Sequence, residues 1–389
     1  MPVITNIEDL RRLARRKVPK ALFDYVDTGS YDELSYRANS AELKAIRFRQ
    51  RILIDTGERK LSTTMLGEKV AMPVAIAPTG LAGLLYGDGE MVAARAAEDA
   101  GIRYCLSTMS ICSIEDIRSA TKGPFWFQLY VFRDRAFSEQ ILARAHAAGC
   151  TALFVTVDLP MRGQRHADLK NGLEVPPRLT PRNVFDIATK PAWAMSVLRG
   201  KRKTFGNIAT FLHQKAQTGA LAAGRWAQEN YDPTLSWNDI AWMRKVWPGK
   251  LVLKGVLDAE DAKKAADHGV DAIVVSNHGG RQLDGAPATI VALPRIADAA
   301  GDRIEILFDG GVRSGQDVLK ALALGARGCF IGRAHLYGLA AMGGAGVTKA
   351  LSLIESELRL SMALTGVRDV AEVSRDILFD DYNGRLRNI

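Results

Sequence analysis

Cysteine is scarce in this chain, four in 389 residues, and none of the four (Cys105, Cys112, Cys150, Cys329) has a neighbour at metal-binding spacing. A disulfide-framed secreted fold and a zinc module are therefore set aside, no C-x-x-C-H haem site exists, and buried free thiols are expected. No apolar run reaches the ~18 residues of a transmembrane helix. The opening residues, MPVITNIEDLRRLARRKVPK, are basic without an apolar signal core, so export is not expected. A dinucleotide fingerprint is also missing. Gly87-Asp88-Gly89 leads to Val92 where a third glycine would stand, which argues against a Rossmann NAD site.

What is present is an ordinary globular composition, 47% hydrophobic and 24% charged, at a length that supports a large core. The formal net charge of +9 is unevenly spread. Between Pro176 and Asn230 lie nine Lys/Arg against only Asp186 and Glu229. Basic charge alone would admit a nucleic-acid or membrane-binding module. Such a module would leave the polar strand ends described next without a purpose.

Outside that segment, short apolar runs alternate with helical patterns. The runs are MPVAIAPTG (72–80), RYCLST (103–108), FWFQLY (125–130), ALFVTVD (152–158), KLVLKG (250–255), AIVVSN (272–277), IEILFDGG (304–311) and GCFIG (328–332). Continuous rather than alternating apolar runs suit parallel strands buried on both faces. Helix-like stretches at 89–101, 138–149, 258–269 and 314–325 end in glycine, several after an acid or serine start. The expected fold class is α/β, a single-domain (β/α)8 TIM barrel. It would have an N-terminal helical extension (1–65), barrel segments 66–175 and 231–375, and a basic insertion at 176–230. That insertion follows the fourth strand and so belongs to the C-terminal, active-site face of the barrel.

Barrel enzymes carry their reactive groups at the C-terminal strand ends. Here those ends supply Thr79, Ser107, Gln128, Tyr130, Thr156, Asp158, Lys254, Ser276, His278, Arg281, Asp309, Arg313 and Arg333. Asp309-Gly310-Gly311-Val312-Arg313 and Gly332-Arg333 follow strands seven and eight, where barrels often bind one phosphate. One phosphate suits FMN or a phosphorylated substrate. In Ser276-Asn277-His278-Gly279-Gly280-Arg281, a histidine and an arginine three residues apart can combine a base with a carboxylate anchor. His146, His213, His268 and His335 read as structural. A barrel isomerase or nucleotide dehydrogenase would not need the His278/Arg281 pair and often uses a loop cysteine, which is not found. No metal ligand set is expected.

SNHGGRQLDG (276–285) resembles the active-site signature of the FMN-dependent 2-hydroxy-acid oxidase and dehydrogenase family. The resemblance covers nearly the whole chain, through PKALFDYVDTG (19–29), APTGL (77–81), WFQLY (126–130), TVDLP (156–160), LKGV (253–256), DGGVRSG (309–315) and GRAHLYGLA (332–340). The insertion is most similar to that of the respiratory, quinone-linked L-lactate dehydrogenase branch. The resemblance implies FMN as cofactor and His278 as the base, with Asp158 stabilising its protonated form. It implies that Arg281, Tyr25 and the more mobile Arg165 hold the substrate carboxylate, and that Tyr130 faces the substrate hydroxyl. Lys254 would lie beside the flavin N1–O2 edge, with Pro78, Thr79 and Gly80 along its N5 side. Ser107, Gln128, Thr156 and Ser276 would contact the ring, and Asp309, Gly311, Arg313, Gly332 and Arg333 the ribityl and phosphate.

The implied reaction is oxidation of a small L-2-hydroxy acid, L-lactate first, with electrons passed to quinone or another membrane acceptor. A soluble oxidase making peroxide and a mandelate-type dehydrogenase are the alternatives. Met109 stands where the glycolate-specific branch has tryptophan, and Gly80 where the oxidase branch often has alanine. The implied partners are an anionic membrane surface met by the 176–230 insertion and further copies of the chain in a homo-oligomer, with no nucleic acid. The implied place is peripheral, on the cytoplasmic side of the cell membrane, or soluble in the cytoplasm.

Overall fold

The computed structural model describes residues 3–173, 178, 180–214 and 220–379. Lys215 and the start of the expected insertion, residues 176–177, lie outside the described residues. A short antiparallel hairpin, β1 (Thr63–Met65) and β2 (Glu68–Val70), comes first. Eight strands then follow: β3 (Val74–Ile76), β4 (Arg103–Ser107), β5 (Phe125–Leu129), β6 (Cys150–Thr156), β7 (Lys250–Val256), β8 (Ala272–Val275), β9 (Glu305–Phe308) and β10 (Gly328–Ile331). They pair in parallel and in sequence order, and β10 closes on β3. The expected TIM barrel is therefore the fold, and each apolar run of the sequence contains one of its strands.

Two layers of core explain why the runs are apolar throughout. One face of the strands points outward to the helices, with Ile76, Leu106, Phe127, Val155, Leu253, Val275 and Phe308 all buried. The other fills the barrel with Ala75, Cys105, Trp126, Phe154, Val252, Val274, Leu307 and Phe330. Trp126, Phe154 and Phe330 pack ring on ring there, with centroids 5.3 to 5.8 Å apart. All four cysteines are buried and unpaired.

The hairpin closes the far end of the barrel. Met65, Leu66 and Val70 join the interior cluster, and Glu68 accepts from the Trp126 indole at 3.0 Å. Its turn places Leu66 and Gly67 at φ 51 and 81, the left-handed geometry that tight hairpin turns require. The hairpin straddles the expected boundary at 65/66, so that boundary cuts through one structural unit. The reason it escaped sequence reading is its size: three residues per strand carry no periodicity.

The N-terminal extension forms helices Ile7–Lys17, Lys20–Asp27 and Leu34–Ala45. Asn6 starts the first by accepting from the Asp9 amide at 2.9 Å. Arg11 then forks onto both oxygens of Asp27 at 2.7 Å, and the buried Tyr337 hydroxyl donates to the same carboxylate at 2.6 Å. This bidentate, charge-assisted latch fixes the second helix against the helix that follows β10, Arg333–Met342. It thereby aims Tyr25 into the mouth of the barrel.

The insertion has two unequal halves. Helices Gly206–Gln214 and Ala220–Asn230 lie on the barrel, with Ile208, Phe211, Leu212, Ala223 and Ala227 buried. Trp226 packs against Phe137 of the barrel helix Arg135–Ala147 at 4.9 Å. Helices Pro181–Ala188 and Pro191–Arg199 instead leave Val184, Phe185, Met195 and Leu198 exposed. Among the described residues, the exposed large apolar side chains of the insertion thus belong to its first half. No described helix is long and apolar enough to cross a membrane.

Candidate active site

The reactive edge is assembled by β6 and β8. Asp158 stands two residues past the end of β6, and His278 three residues past the end of β8. His278 has φ 56, followed by Gly279 at 65 and Gly280 at 72. Three successive left-handed residues turn the chain sharply enough to bring the imidazole back over the barrel. Its Nδ1 lies 2.9 Å from Asp158 Oδ1, and its Nε2 faces the Tyr130 hydroxyl at 3.4 Å. Burial raises the Asp158 pKa, but the neighbouring His278 and Lys254 outweigh it and hold the carboxyl below its ordinary value. An ionised Asp158 accepts from Nδ1–H, which leaves the Nε2 lone pair facing the cavity. Close approach matters here: β7 bulges at Gly255, where φ is 110 and a Cβ would lie 2.5 Å from the Asp158 side chain.

Cations gather on one side of this pair. The Arg281 guanidinium lies over the Tyr25 ring at 4.9 Å and donates to the Tyr25 carbonyl at 2.6 Å. Arg165 approaches the same ring at 5.3 Å. Burial, and then repulsion from Arg165, push the Arg281 pKa down to about 9. Among the described residues no carboxylate pairs with Arg281. A buried, unneutralised guanidinium beside a base is a built receptor for an anionic substrate group.

Deeper in the barrel the strand ends form a polar floor. Ser107 donates to Gln128 at 2.9 Å, and Gln128 donates to Thr156 at 2.9 Å. Lys254, also buried, bonds Ser276 Oγ at 2.9 Å and Asp309 Oδ2 at 2.7 Å. Burial lowers its pKa, yet Asp309 and Asp158 more than compensate, so the ammonium charge is retained. Asp309 Oδ1 is buried without any partner. Pro78, Thr79, Gly80, Gly311, Arg313, Gly332 and Arg333 line the same cavity of about 790 Å³. That volume suits a cofactor of FMN size together with a small substrate.

Several placements were not legible in the sequence. The Arg333 guanidinium donates to the carbonyls of Val26, Thr28 and Gly279 at 2.8 to 2.9 Å, tying the extension to the catalytic loop. Tyr231, where the insertion returns to the barrel, sets its ring edge-on to Tyr130 at 6.1 Å, and burial pushes its hydroxyl up to about 12. His335, read as structural, is wholly buried, and burial brings its pKa down to about 4. Its Nδ1 meets the Ile331 carbonyl at 3.0 Å and its Nε2 faces Thr79 Oγ1 at 3.4 Å, so it backs a cavity-lining residue. From the insertion, Thr204, Phe205 and Ala227 also line the cavity.

Residues 14–380 match the FMN-dependent dehydrogenase family. The chain belongs to that family. An L-lactate dehydrogenase of Caulobacter vibrioides is 50% identical over 377 residues, which are 97% of this chain and 98% of the relative. That of Vibrio parahaemolyticus is 46% identical, covering 97% and 99%. A crystal structure of (S)-mandelate dehydrogenase, described as a monotopic membrane protein, superposes with a TM-score of 0.92 at 35% identity, covering 97% and 100%. Mandelate oxidase gives 0.81 at 36%, covering 97% and 98%. FMN is the family's cofactor, and the cavity of this dehydrogenase fits it. The orphaned Asp309 Oδ1 offers an acceptor to a hydroxyl, the Ser107–Gln128–Thr156 chain offers hydrogen bonds to a polar ring edge, and Lys254 offers a fixed positive charge.

Proposed function

We propose that this dehydrogenase oxidises an L-2-hydroxy acid, L-lactate first, to the 2-keto acid and passes the electrons to quinone or another membrane acceptor. The observation that carries the proposal is His278, oriented by Asp158, with Tyr130 and Arg281 beside it. Arg281 and Tyr25, with Arg165, hold the substrate carboxylate and so fix the carbinol carbon in one orientation. Tyr130 meets the substrate hydroxyl. His278 Nε2 accepts a proton from the substrate, and Asp158 stabilises the imidazolium that results. FMN, when bound, would supply the two-electron acceptor, and the retained Lys254 charge would favour its reduction. Lactate is placed ahead of mandelate because relatives near 50% identity are L-lactate dehydrogenases, whereas the mandelate enzymes stand near 35%.

Anaerobic stopped-flow tests both halves. Mixing with L-lactate should bleach the flavin rapidly, and the reduced protein should reoxidise fast with a soluble quinone and slowly with oxygen. Fast oxygen reoxidation would make the protein an oxidase, and no bleaching with L-lactate but bleaching with (S)-mandelate would move the substrate. The crowding at Gly80 favours the dehydrogenase: a Cβ there would lie 3.1 Å from the Met109 carbonyl, so the alanine of the oxidase branch would fit tightly.

Membrane contact is assigned to the first half of the insertion, at the cytoplasmic surface. Phe185 and Leu198 are each 73% exposed, Arg182 and Arg199 stand on the same two helices, and Lys190 lies between them. Apolar side chains ringed by basic ones suit an anionic bilayer surface. Met161, 74% exposed, lines the cavity, so an exposed apolar side chain also stands at its mouth. The double variant Phe185→Ser, Leu198→Ser should shift the protein from co-sedimenting with anionic vesicles to the supernatant while L-lactate still bleaches the flavin. Unchanged sedimentation would remove these helices from the membrane contact.

A further inference from the structure

Asp168 lies behind the substrate arginines, on the short helix His166–Lys170 that packs against the helix carrying Tyr25. It is 3% exposed. One of its oxygens, Oδ2, takes both of its ion pairs: Arg165 Nε at 2.6 Å and Arg162 at 3.1 Å. The other, Oδ1, is buried with no partner. Its side chain caps no helix, and only its backbone carbonyl, which accepts from Leu173 at 2.9 Å, serves the local fold. A buried carboxylate is costly unless its charge is used, and the only use in view is to hold arginines.

The geometry of Arg165 shows what that hold achieves. Asp168 grips the Nε corner, and no described residue accepts from the two Nη atoms. The guanidinium lies against Tyr25 on one side of the substrate site, with Arg281 against the same ring. Its side chain is 9% exposed, and it lines the cavity. A guanidinium anchored through Nε can present its Nη pair as a preset fork to a second carboxylate.

We infer that Asp168 is a positioning residue for the substrate carboxylate, acting through Arg165. The inference rests on the reading that the site takes a 2-hydroxy acid. It assigns Asp168 no contact with substrate or cofactor. Its effect belongs to the binding of the carboxylate and to Arg165 alone, which separates it from a general role in folding.

A double-mutant cycle on the FMN-loaded protein tests this, with Asp168→Asn, Arg165→Met and the pair together. Binding is read in two ways: KM for L-lactate, and the Kd of oxalate from its perturbation of the flavin spectrum. Each single variant should raise both by about tenfold, the scale of one lost charge-assisted bond, with kcat changed much less. In the Arg165→Met background, Asp168→Asn should add less than about twofold, because the residue it acts through is gone. Equal factors in both backgrounds, or an Asp168→Asn variant within twofold of the parent, would overturn the inference. If Asp168→Asn loses FMN, Asp168→Glu takes its place in the cycle. It keeps the charge but displaces it by one methylene, and its effect should likewise vanish with Arg165→Met; a persistent effect would overturn the inference. Failure of the substrate reading is distinguishable, since no 2-hydroxy acid would then reduce the flavin while the oxalate cycle could still be read.

Discussion

Replacing His278 by glutamine should leave a yellow, folded protein whose flavin is reduced by L-lactate roughly 1,000-fold more slowly, within the usual range for loss of a positioned base. Glutamine can still donate to Asp158 from its amide, so the carboxylate keeps a partner, but nothing then accepts the substrate proton. The site's remaining groups, Arg281, Tyr25 and Tyr130, still bind and orient the acid, so KM should move far less than the reduction rate. Because residue 278 has φ 56, the variant also takes on some backbone strain, of order 1 kcal/mol. Bound flavin and Tm therefore belong in the same measurement. Near-normal reduction in a variant with full FMN content would remove His278 from its assigned role.

A different failure is expected for Lys254→Met, which should lose FMN and stability together. The ammonium is 5% exposed and bridges Ser276 and Asp309 beside Asp158. Its removal leaves the buried Asp309 carboxylate without the ammonium that pairs its Oδ2. Breaking a buried ion pair from one side costs about 3–5 kcal/mol. For a protein of this size that corresponds to a fall in Tm of about 4–6 °C. Absorbance at the flavin band per mole of protein, with a thermal melt, checks both. A variant that stays yellow at the parental Tm would show that the cradle does not depend on this charge.

The barrel was legible because parallel strands buried on both faces leave a signature that needs no partner to read: short, continuous, apolar and evenly spaced. The groups at the strand ends inherit that legibility, since a residue one to three positions past a strand must lie at the mouth. His278, Asp158 and Asp309 are of this kind; His278 and Asp309 line the cavity with Lys254, which lies within β7, and Asp158 bonds His278 from behind. What stayed hidden depends on chain segments meeting far from each other in sequence. Asp168 looks like any helix acid until the helix Lys20–Asp27 folds against it. Arg333 follows a glycine at a strand end, as a phosphate ligand would, but its guanidinium meets three carbonyls whose positions no local pattern foretells. The insertion reads as one basic stretch, although alternate burial of Phe211 and exposure of Phe185 divides it in two.

The latch between Arg11, Asp27 and Tyr337 joins residues from opposite ends of the chain. During synthesis, Tyr25 leaves the ribosome some three hundred residues before the tyrosine that secures its helix. The carboxylate-binding corner cannot be completed until the helix after β10, Arg333–Met342, has emerged. A truncated product that stops short of that helix would still carry every strand up to β10 and the base, but it would lack the grip on its substrate. The architecture thus ties the substrate corner to the same stretch of chain that closes the barrel.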